Sequence, residues 1–378
     1  MTPSQQESIL KPAGWMHYRY PFIYGQPDTR QFPLATWRSA ANWLHGGVRD
    51  PAWVIDHIDQ DVPMLIEQIR TRVLPKRGIV AAPDEILITL GSQNALYLLT
   101  RLLLSSTTRI GVENPCFREA INTFLLADAE VVPHPVDEEG IVLNERPCDY
   151  YYVTPGHQVP TGVTMSSARR RQLLEHATRH DAVIIEDDYD SESNFTLNPL
   201  PALKASDRSG RVVYVSSLSK ALSPGLRLGF MVADPDLIDE ARALRRLVYR
   251  HPPTNIQYQM AHFLAQGHYE THLRRYHYDS AQRWECLHAA LQRYLPSCRA
   301  LAGSEHANAF WLQTPAQINT QQLTWRAAHA GVLIEPGARH FLNAAPPDNY
   351  FRMGFHAINP DAIAQGVEVL RGQLEQMG

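Results

Sequence analysis

From residue 85 to about residue 250 the chain alternates between short apolar runs and stretches of helical period, a rhythm that few folds accommodate. Ile86-Leu87-Ile88-Thr89-Leu90 precedes helical character from Ser92 to Leu104, and Arg109 to Val112 precedes a helix from about Phe117 to Leu126. Ala129 to Val136, Tyr150 to Val153, Ala182 to Ile185 and Val212 to Val215 continue as strands. Helices fit between several of them, as at Ser167 to Thr178, and another follows the last from Pro235 to Val248. Strands separated by helices build a mostly parallel sheet, covered on both faces because its strands are apolar on both. A further helix is expected from Thr36 to about Leu44. After about Pro253 the pattern changes to two long helical stretches, 256–267 and 270–294, and then shorter strands at Ala309 to Leu312, Val332 to Ile334 and Tyr350 to Met353. A closing helix, Pro360 to Met377, sets Ile363, Val367, Leu370 and Leu374 on one face. The 378 residues therefore divide into a large α/β domain and a smaller α+β domain.

A formal net charge of −4 provides no general attraction to nucleic acid or to an anionic membrane. The most apolar run, Leu96 to Leu104, is interrupted by Arg101 and is too short to span a bilayer, and the first thirty residues lack the apolar core of a signal peptide. Cys116, Cys148, Cys286 and Cys298 are scattered, which supports neither a zinc site nor a disulfide framework and points to reduced thiols in the cytoplasm.

Four segments carry chemistry. The strand ending at Val215 runs into Ser216-Ser217-Leu218-Ser219-Lys220 and on to Pro224-Gly225-Leu226-Arg227-Leu228-Gly229. A lysine in an apolar neighbourhood has its pKa lowered by desolvation, which frees the amine to attack an aldehyde. The serines and Arg227 are suitable donors to a phosphate; a solvated surface loop is the alternative. Ile184-Ile185-Glu186-Asp187-Asp188-Tyr189-Asp190 is a strand ending in four acids, as a metal site, a helix cap or a solvated turn would, although no His or Cys lies in the run. Leu90-Gly91-Ser92-Gln93 joins a strand to a helix, where backbone N–H groups form an anion site. Arg352 sits within the apolar strand Tyr350-Phe351-Arg352-Met353 and needs an anionic partner, either a ligand or an internal salt bridge.

The run Ser-x-Ser-Lys-x-x-x-Pro-Gly-x-Arg-x-Gly from Ser217 to Gly229 resembles the cofactor-lysine motif of the fold-type I aminotransferases of class I and II. The resemblance implies a large domain with a mostly parallel seven-stranded sheet. It implies an N-terminal arm and part of the small domain in 1–48, the large cofactor domain in 49–253 and the small domain in 254–378. Lys220 would carry pyridoxal 5′-phosphate as a Schiff base and later move a proton, while Arg227, Ser217 and Ser219 would hold the phosphate. The run Glu186-Asp187-Asp188-Tyr189-Asp190 resembles the family's ring-nitrogen segment, with Asp187 as the partner of the pyridine nitrogen, Asp188 the alternative, and Tyr189 a donor to the phenolate oxygen. Gly91, Ser92 and Gln93 match the family's phosphate turn, and Phe117 its ring-stacking aromatic. Arg352 matches the substrate-carboxylate arginine, and Gly25, in the loop Tyr24-Gly25-Gln26-Pro27-Asp28, is a second expected substrate contact. The family's asparagine is Val159 here, so its contact is lost or passes to His157 or Gln158.

The loop His157-Gln158-Val159-Pro160-Thr161-Gly162 also resembles the aminotransferase-like domains of MocR-type transcription regulators, as do Phe263 to Arg275 and Gly25 to Arg38. Asp59-Gln60-Asp61-Val62-Pro63 departs from the family's Gly-x-x-x-Leu-Arg stretch. The resemblance implies a homodimer that passes an amino group from an α-amino acid to a 2-oxo acid, with no metal, no membrane and no nucleic acid. A MocR-type effector domain that senses an amino acid is the alternative, along with racemisation, β-elimination or decarboxylation on the same cofactor. Met1 lies too close to the first motifs for a winged helix–turn–helix, which favours a free-standing enzyme.

Overall fold

The computed structural model describes residues 11–47, 52–56, 60–144, 146–196, 199–300 and 307–377. The large sheet contains β1 (Ile86–Thr89), β2 (Arg109–Asn114), β3 (Glu130–Asp137), β4 (Tyr150–Val153), β5 (Val183–Asp188), β6 (Val212–Ser217) and β7 (Gly229–Val232). Their spatial order is β1-β7-β6-β5-β4-β2-β3, with a two-residue strand, Gly140–Ile141, hairpinned onto β3. The strands β2 to β6 pair in parallel, whereas β7 is antiparallel to both of its neighbours. The sequence reading contains no strand at β7. This short run follows the lysine segment without an intervening helix, and a direct return of this kind can only place a strand antiparallel to the one before it.

Because side chains alternate along a strand, the sheet has two apolar faces. Ile86, Ile88, Tyr214 and Phe230 join one core with Leu65 and Ile66 of the helix Pro63–Gln68 and with Met260, Phe263 and Leu264 of the helix Thr254–Ala265. Leu87, Val112, Val213, Val215 and Met231 join the other, against the helices Ser92–Leu103, Arg118–Leu125 and Pro235–Tyr249. The large-domain core thus reaches beyond residue 253 into Thr254–Ala265, because that helix covers the sheet. It also takes Ala40 from the N-terminal helix Leu34–Gly47, while Tyr20 and Phe22 pack in the small domain. The small domain is an antiparallel sheet in the order Arg299–Ala300, Ala309–Gln313, Tyr350–Gly354, Glu335–Pro336, packed on the helices His268–Tyr294 and Ile363–Glu375. Tyr20–Pro21 pairs in parallel with Val332–Leu333. Among the described residues no helix is long and apolar enough to cross a membrane.

Asp61 ties the start of the large domain to its end. Asp59, the first residue of the departing stretch, lies outside the described residues. Asp61 is buried and accepts from Arg245 Nη1 at 2.7 Å, from Arg242 Nη1 at 3.0 Å and from the Ile88 amide at 3.1 Å. Arg245 is wholly buried and also donates to the Ile88 carbonyl at 2.6 Å. Asp61→Ala leaves that guanidinium without a counter-charge, and chemical denaturation should show a loss of about 3–5 kcal/mol. Adding Arg245→Met to the same chain should recover part of the loss.

Candidate active site

The C-terminal ends of β1, β5 and β6 open onto one cavity of about 390 Å³. Strand ends of a parallel sheet collect ligands because helix N-termini and loops converge there. At β5 the pleat sorts the acids. Glu186 and Asp188 follow the face of Ile184, and Asp187 follows the face of Ile185. Glu186 accepts from the Leu203 and Lys204 amides at 2.7 and 2.9 Å. Asp188 is paired with Arg77 at 2.7 Å, both side chains being buried, and accepts from Tyr214 Oη at 2.8 Å. Asp187 alone of the three lines the cavity. Its Oδ2 accepts from Tyr152 Oη at 2.9 Å, and its buried Oδ1 has no partner among the described residues. Burial pushes this carboxyl up to about 7, against the pull of the Tyr152 hydrogen bond and the charge of Lys220.

Lys220 stands across the cavity, its Nζ donating to Tyr24 Oη at 2.7 Å and lying 4.0 Å from the centre of the Tyr189 ring. Burial lowers this amine to about 7; the charge of Asp190 opposes the shift, Arg352 adds to it, and Asp187 opposes it. The loop bearing the lysine is pinned from below. His272 Nε2 lies 2.8 Å from the Ala221 carbonyl, and Ser219 Oγ donates to the Leu228 carbonyl at 2.9 Å while accepting from the Leu228 amide at 2.7 Å. Ser219 lines the cavity, but its hydroxyl is engaged with Leu228.

At one end of the cavity Gly91, Ser92 and Gln93 make the turn into the helix Ser92–Leu103, with Ser217 and Arg227 beside them. Gly91 has φ +84°, and a Cβ there would lie 3.0 Å from Arg227 Nη2. Arg227 donates to the Leu90 carbonyl at 3.0 Å, so strand end, helix start and guanidinium form one cradle, in which a side chain at position 91 would be strained by its φ and would press on the guanidinium. At the other end Arg352 lies over the Tyr24 ring at 3.5 Å, with Nη1 3.9 Å from Glu335 Oε1 and its buried Nε without a partner among the described residues. Glu335 is held by His340 Nε2 at 2.7 Å. Gly25, Phe117, Val159 and Tyr189 also line the cavity, as do Lys11, Gln26, Glu119 and Pro224.

Two expected residues turn away from the cavity. Gln158 donates its amide to the Pro115 and Val159 carbonyls, both at 2.7 Å, and accepts from Thr161 Oγ1 at 2.6 Å. His157 is buried, with Nδ1 3.0 Å from Asp190 Oδ2. Neither replaces the polar group that Val159 lacks. The Tyr189 hydroxyl donates to the His157 carbonyl at 3.1 Å, so the ring faces Lys220 while the oxygen is already engaged. Cys116 is buried, its thiol pushed up to about 12 by burial. The sequence reading missed Tyr152 and Tyr24. Tyr24 had a signal in its position beside Gly25, but Tyr152 was indistinguishable from a core residue within Tyr150-Tyr151-Tyr152.

An orphaned buried carboxylate oxygen and a cradle of amides and guanidinium in one cavity fit a ring with a cationic N–H and a phosphate. The sequence model for aminotransferases of class I and II matches residues 59–323. The chain belongs to this family. It is 39% identical to the HTH-type transcriptional regulator TauR of Rhodobacter capsulatus, over 93% of this chain and 72% of that protein. It is 31% identical to the 2-aminoadipate transaminase of Thermus thermophilus, over 78% of each. The solved structure of LysN, an α-aminoadipate aminotransferase of Thermus thermophilus complexed with N-(5′-phosphopyridoxyl)-L-leucine, superposes with a TM-score of 0.84 at 27% identity, covering 94% of this chain and 92% of that one. The large mixed sheet with a smaller antiparallel domain is the architecture of these fold-type I structures.

The depressed amine is directly measurable. Amine modification of the cofactor-free chain across pH, followed by mass spectrometry of the Lys220 peptide, should give an apparent pKa near 7, whereas an unperturbed lysine titrates at about 10.4. The free-base form therefore dominates above pH 7 and reactivity falls below it. A Lys220 value near that of exposed lysines would contradict the burial described.

Proposed function

We propose that the chain is a pyridoxal 5′-phosphate-dependent aminotransferase that passes the amino group of an α-amino acid to a 2-oxo acid. The observation that carries this reading is the pairing, across one cavity, of Asp187 Oδ1, which has no partner among the described residues, with a lysine amine lowered to about 7. When bound, the cofactor supplies an aldehyde and an electron-withdrawing ring. Lys220 supplies the amine that holds the aldehyde and, once displaced, takes the substrate's α-proton and returns it; a pKa near neutrality suits both directions. Asp187 keeps a proton on the ring nitrogen, and Tyr152 holds the carboxylate in place by occupying Oδ2. Arg227, Ser217 and the turn of Gly91, Ser92 and Gln93 bind the phosphate. Phe117, Val159 and Tyr189 wall the ring. Arg352, backed by Tyr24 and Glu335, receives the substrate carboxylate beside Gly25. The working unit is read as a homodimer on the family resemblance, and the free thiols suit the cytoplasm.

One further reading has its own support. TauR at 39% identity and the probable rhizopine catabolism regulatory protein MocR of Rhizobium meliloti at 33% are named as regulators. The same site would then sense an amino acid. Absorbance of the cofactor-loaded chain separates the two. An aminotransferase converts its cofactor to the amine form with an amino acid and is reset by a 2-oxo acid, while a sensor binds the amino acid and stops there.

Borohydride treatment of the loaded chain should fix the cofactor on the Lys220 peptide, and the absence of an adduct there overturns both readings. Asp187→Asn should lower kcat by at least about 100-fold, the scale of an essential proton-transfer or charge interaction. Arg352→Ala should raise KM for the amino acid by about 10-fold or more, the loss of one charge-assisted contact.

A further inference from the structure

Lys220 and Arg352 meet on one phenol. The Lys220 amine donates to Tyr24 Oη at 2.7 Å and lies 4.4 Å from the centre of that ring, and the Arg352 guanidinium lies 3.5 Å from the same centre. Nζ makes no other hydrogen bond among the described residues. Burial raises the Tyr24 phenol, which keeps it uncharged, so its oxygen is a neutral acceptor for the amine. Lys220 belongs to the loop between β6 and β7, whereas Tyr24 lies 196 residues away, before the first helix Leu34–Gly47.

Tyr24 is mounted on the small domain from both sides. On its N-terminal side the Phe22 amide donates to the Leu333 carbonyl at 3.0 Å, and the Phe22 carbonyl accepts from the Gly354 amide at 3.1 Å. Phe22 is wholly buried in the small-domain core, where a Cβ on Gly366 would lie 2.8 Å from its ring. On its C-terminal side the Asp28 carboxylate accepts from Arg283 Nη2 at 2.7 Å, and Arg283 is buried on the helix His268–Tyr294. Between these points the chain passes over the strand Tyr350–Gly354 so closely that a Cβ on Gly354 would lie 2.8 Å from the Tyr24 Cα. Arg352 is two residues back along that strand. One piece of backbone therefore sets both the arginine and the phenol, and the lysine amine reaches across to them from the large domain.

A lysine stem is flexible, and a free amine left to itself samples many positions. An acceptor at a fixed offset from the arginine removes that freedom. We propose that Tyr24 is a catalytic residue whose hydroxyl oxygen holds the displaced Lys220 amine beside the α-carbon of an amino acid docked by its carboxylate on Arg352. The inference rests on the proposed roles of Lys220 and Arg352. Tyr24 gains and loses no proton in this role: Lys220 takes the α-proton and returns it, while the phenol keeps its own. An amine misplaced by about 1 Å costs on the order of 100-fold in rate, which bounds what the hydroxyl contributes.

Tyr24→Phe keeps the ring under Arg352, removes the acceptor and changes none of the charges around the amine, those of Asp187, Asp190, Glu335, Arg352 and Lys11. In the cofactor-free, full chain the ammonium form loses its acceptor. The apparent pKa of Lys220, read by pH-dependent amine modification and peptide mass spectrometry, should then fall by about one unit. In the loaded chain kcat should fall by about 10- to 100-fold with KM for the amino acid within about 2-fold of the parent's. Deuterium at Cα should slow turnover more than it does in the parent. A Lys220 value that stays or rises, or a kcat that holds while KM climbs, in a variant with the parent's near-ultraviolet circular dichroism, overturns the proposal and leaves Tyr24 as support for Arg352 only. Should Tyr24→Phe not fold, Asp28→Asn is the second probe, since it weakens the hold of Arg283 and keeps every atom of Tyr24. It should lower kcat, and a parental kcat with a parental Lys220 value overturns the proposal. A parent chain that forms the Lys220 adduct and never turns over fails the proposed function instead, whereas a Tyr24→Phe chain as fast as its parent fails this inference alone.

Discussion

A primary amine held out of water governs the rest of the site. In water a lysine is protonated and cannot attack an aldehyde. Removing it from water costs free energy unless the charge is lost or answered. Lys220 receives both treatments in part. Burial beside Tyr24 and Tyr189, with the charge of Arg352, takes the amine to about 7, and the carboxylates Asp190 and Asp187 keep it from falling further. The surrounding polar groups can be understood as the means of holding that balance at the end of a strand.

The balance depends on the sheet. Successive residues of β5 point to opposite faces, so Glu186 and Asp188 are drawn into the scaffold by Leu203, Lys204 and Arg77 while Asp187 is left for the cavity. Had all four acids shared one face, their mutual repulsion would have driven them to protonate or to bind a cation. The close approach of β7 to the Gly91 turn has the same origin. A Cβ on Gly229 would lie 2.7 Å from the Gly91 Cα, so the antiparallel return strand and the turn after β1 pack backbone to backbone. The small domain supplies what the sheet cannot, bringing Arg352 and Glu335 from adjacent antiparallel strands to the far end of the cavity.

Much of this was legible along the chain. The alternation of apolar runs with helical stretches fixes a covered parallel sheet because only that arrangement buries strands apolar on both faces, and Tyr150 to Val153 coincides with β4. The lysine segment, the glycine turn and the arginine inside an apolar strand were readable because each is a polar group where burial would otherwise exclude it. β7 was not, since Gly229 closes the motif and the three apolar residues after it carry no period.

The sequence by itself determined the class of fold and pointed to the lysine and the glycine turn that line the cavity, because these depend on local pattern and on short spacings. Tertiary structure alone decided which acid faces the cavity, that Tyr152 and Tyr24 join the site, and that His157 and Gln158 turn away from it. Those outcomes depend on which way a side chain points and what lies opposite it: Tyr152 is 35 residues from Asp187 and Tyr24 is 196 from Lys220. A linear pattern records that a residue is polar or apolar; the direction of its hydrogen bond is fixed only when distant strands are laid side by side.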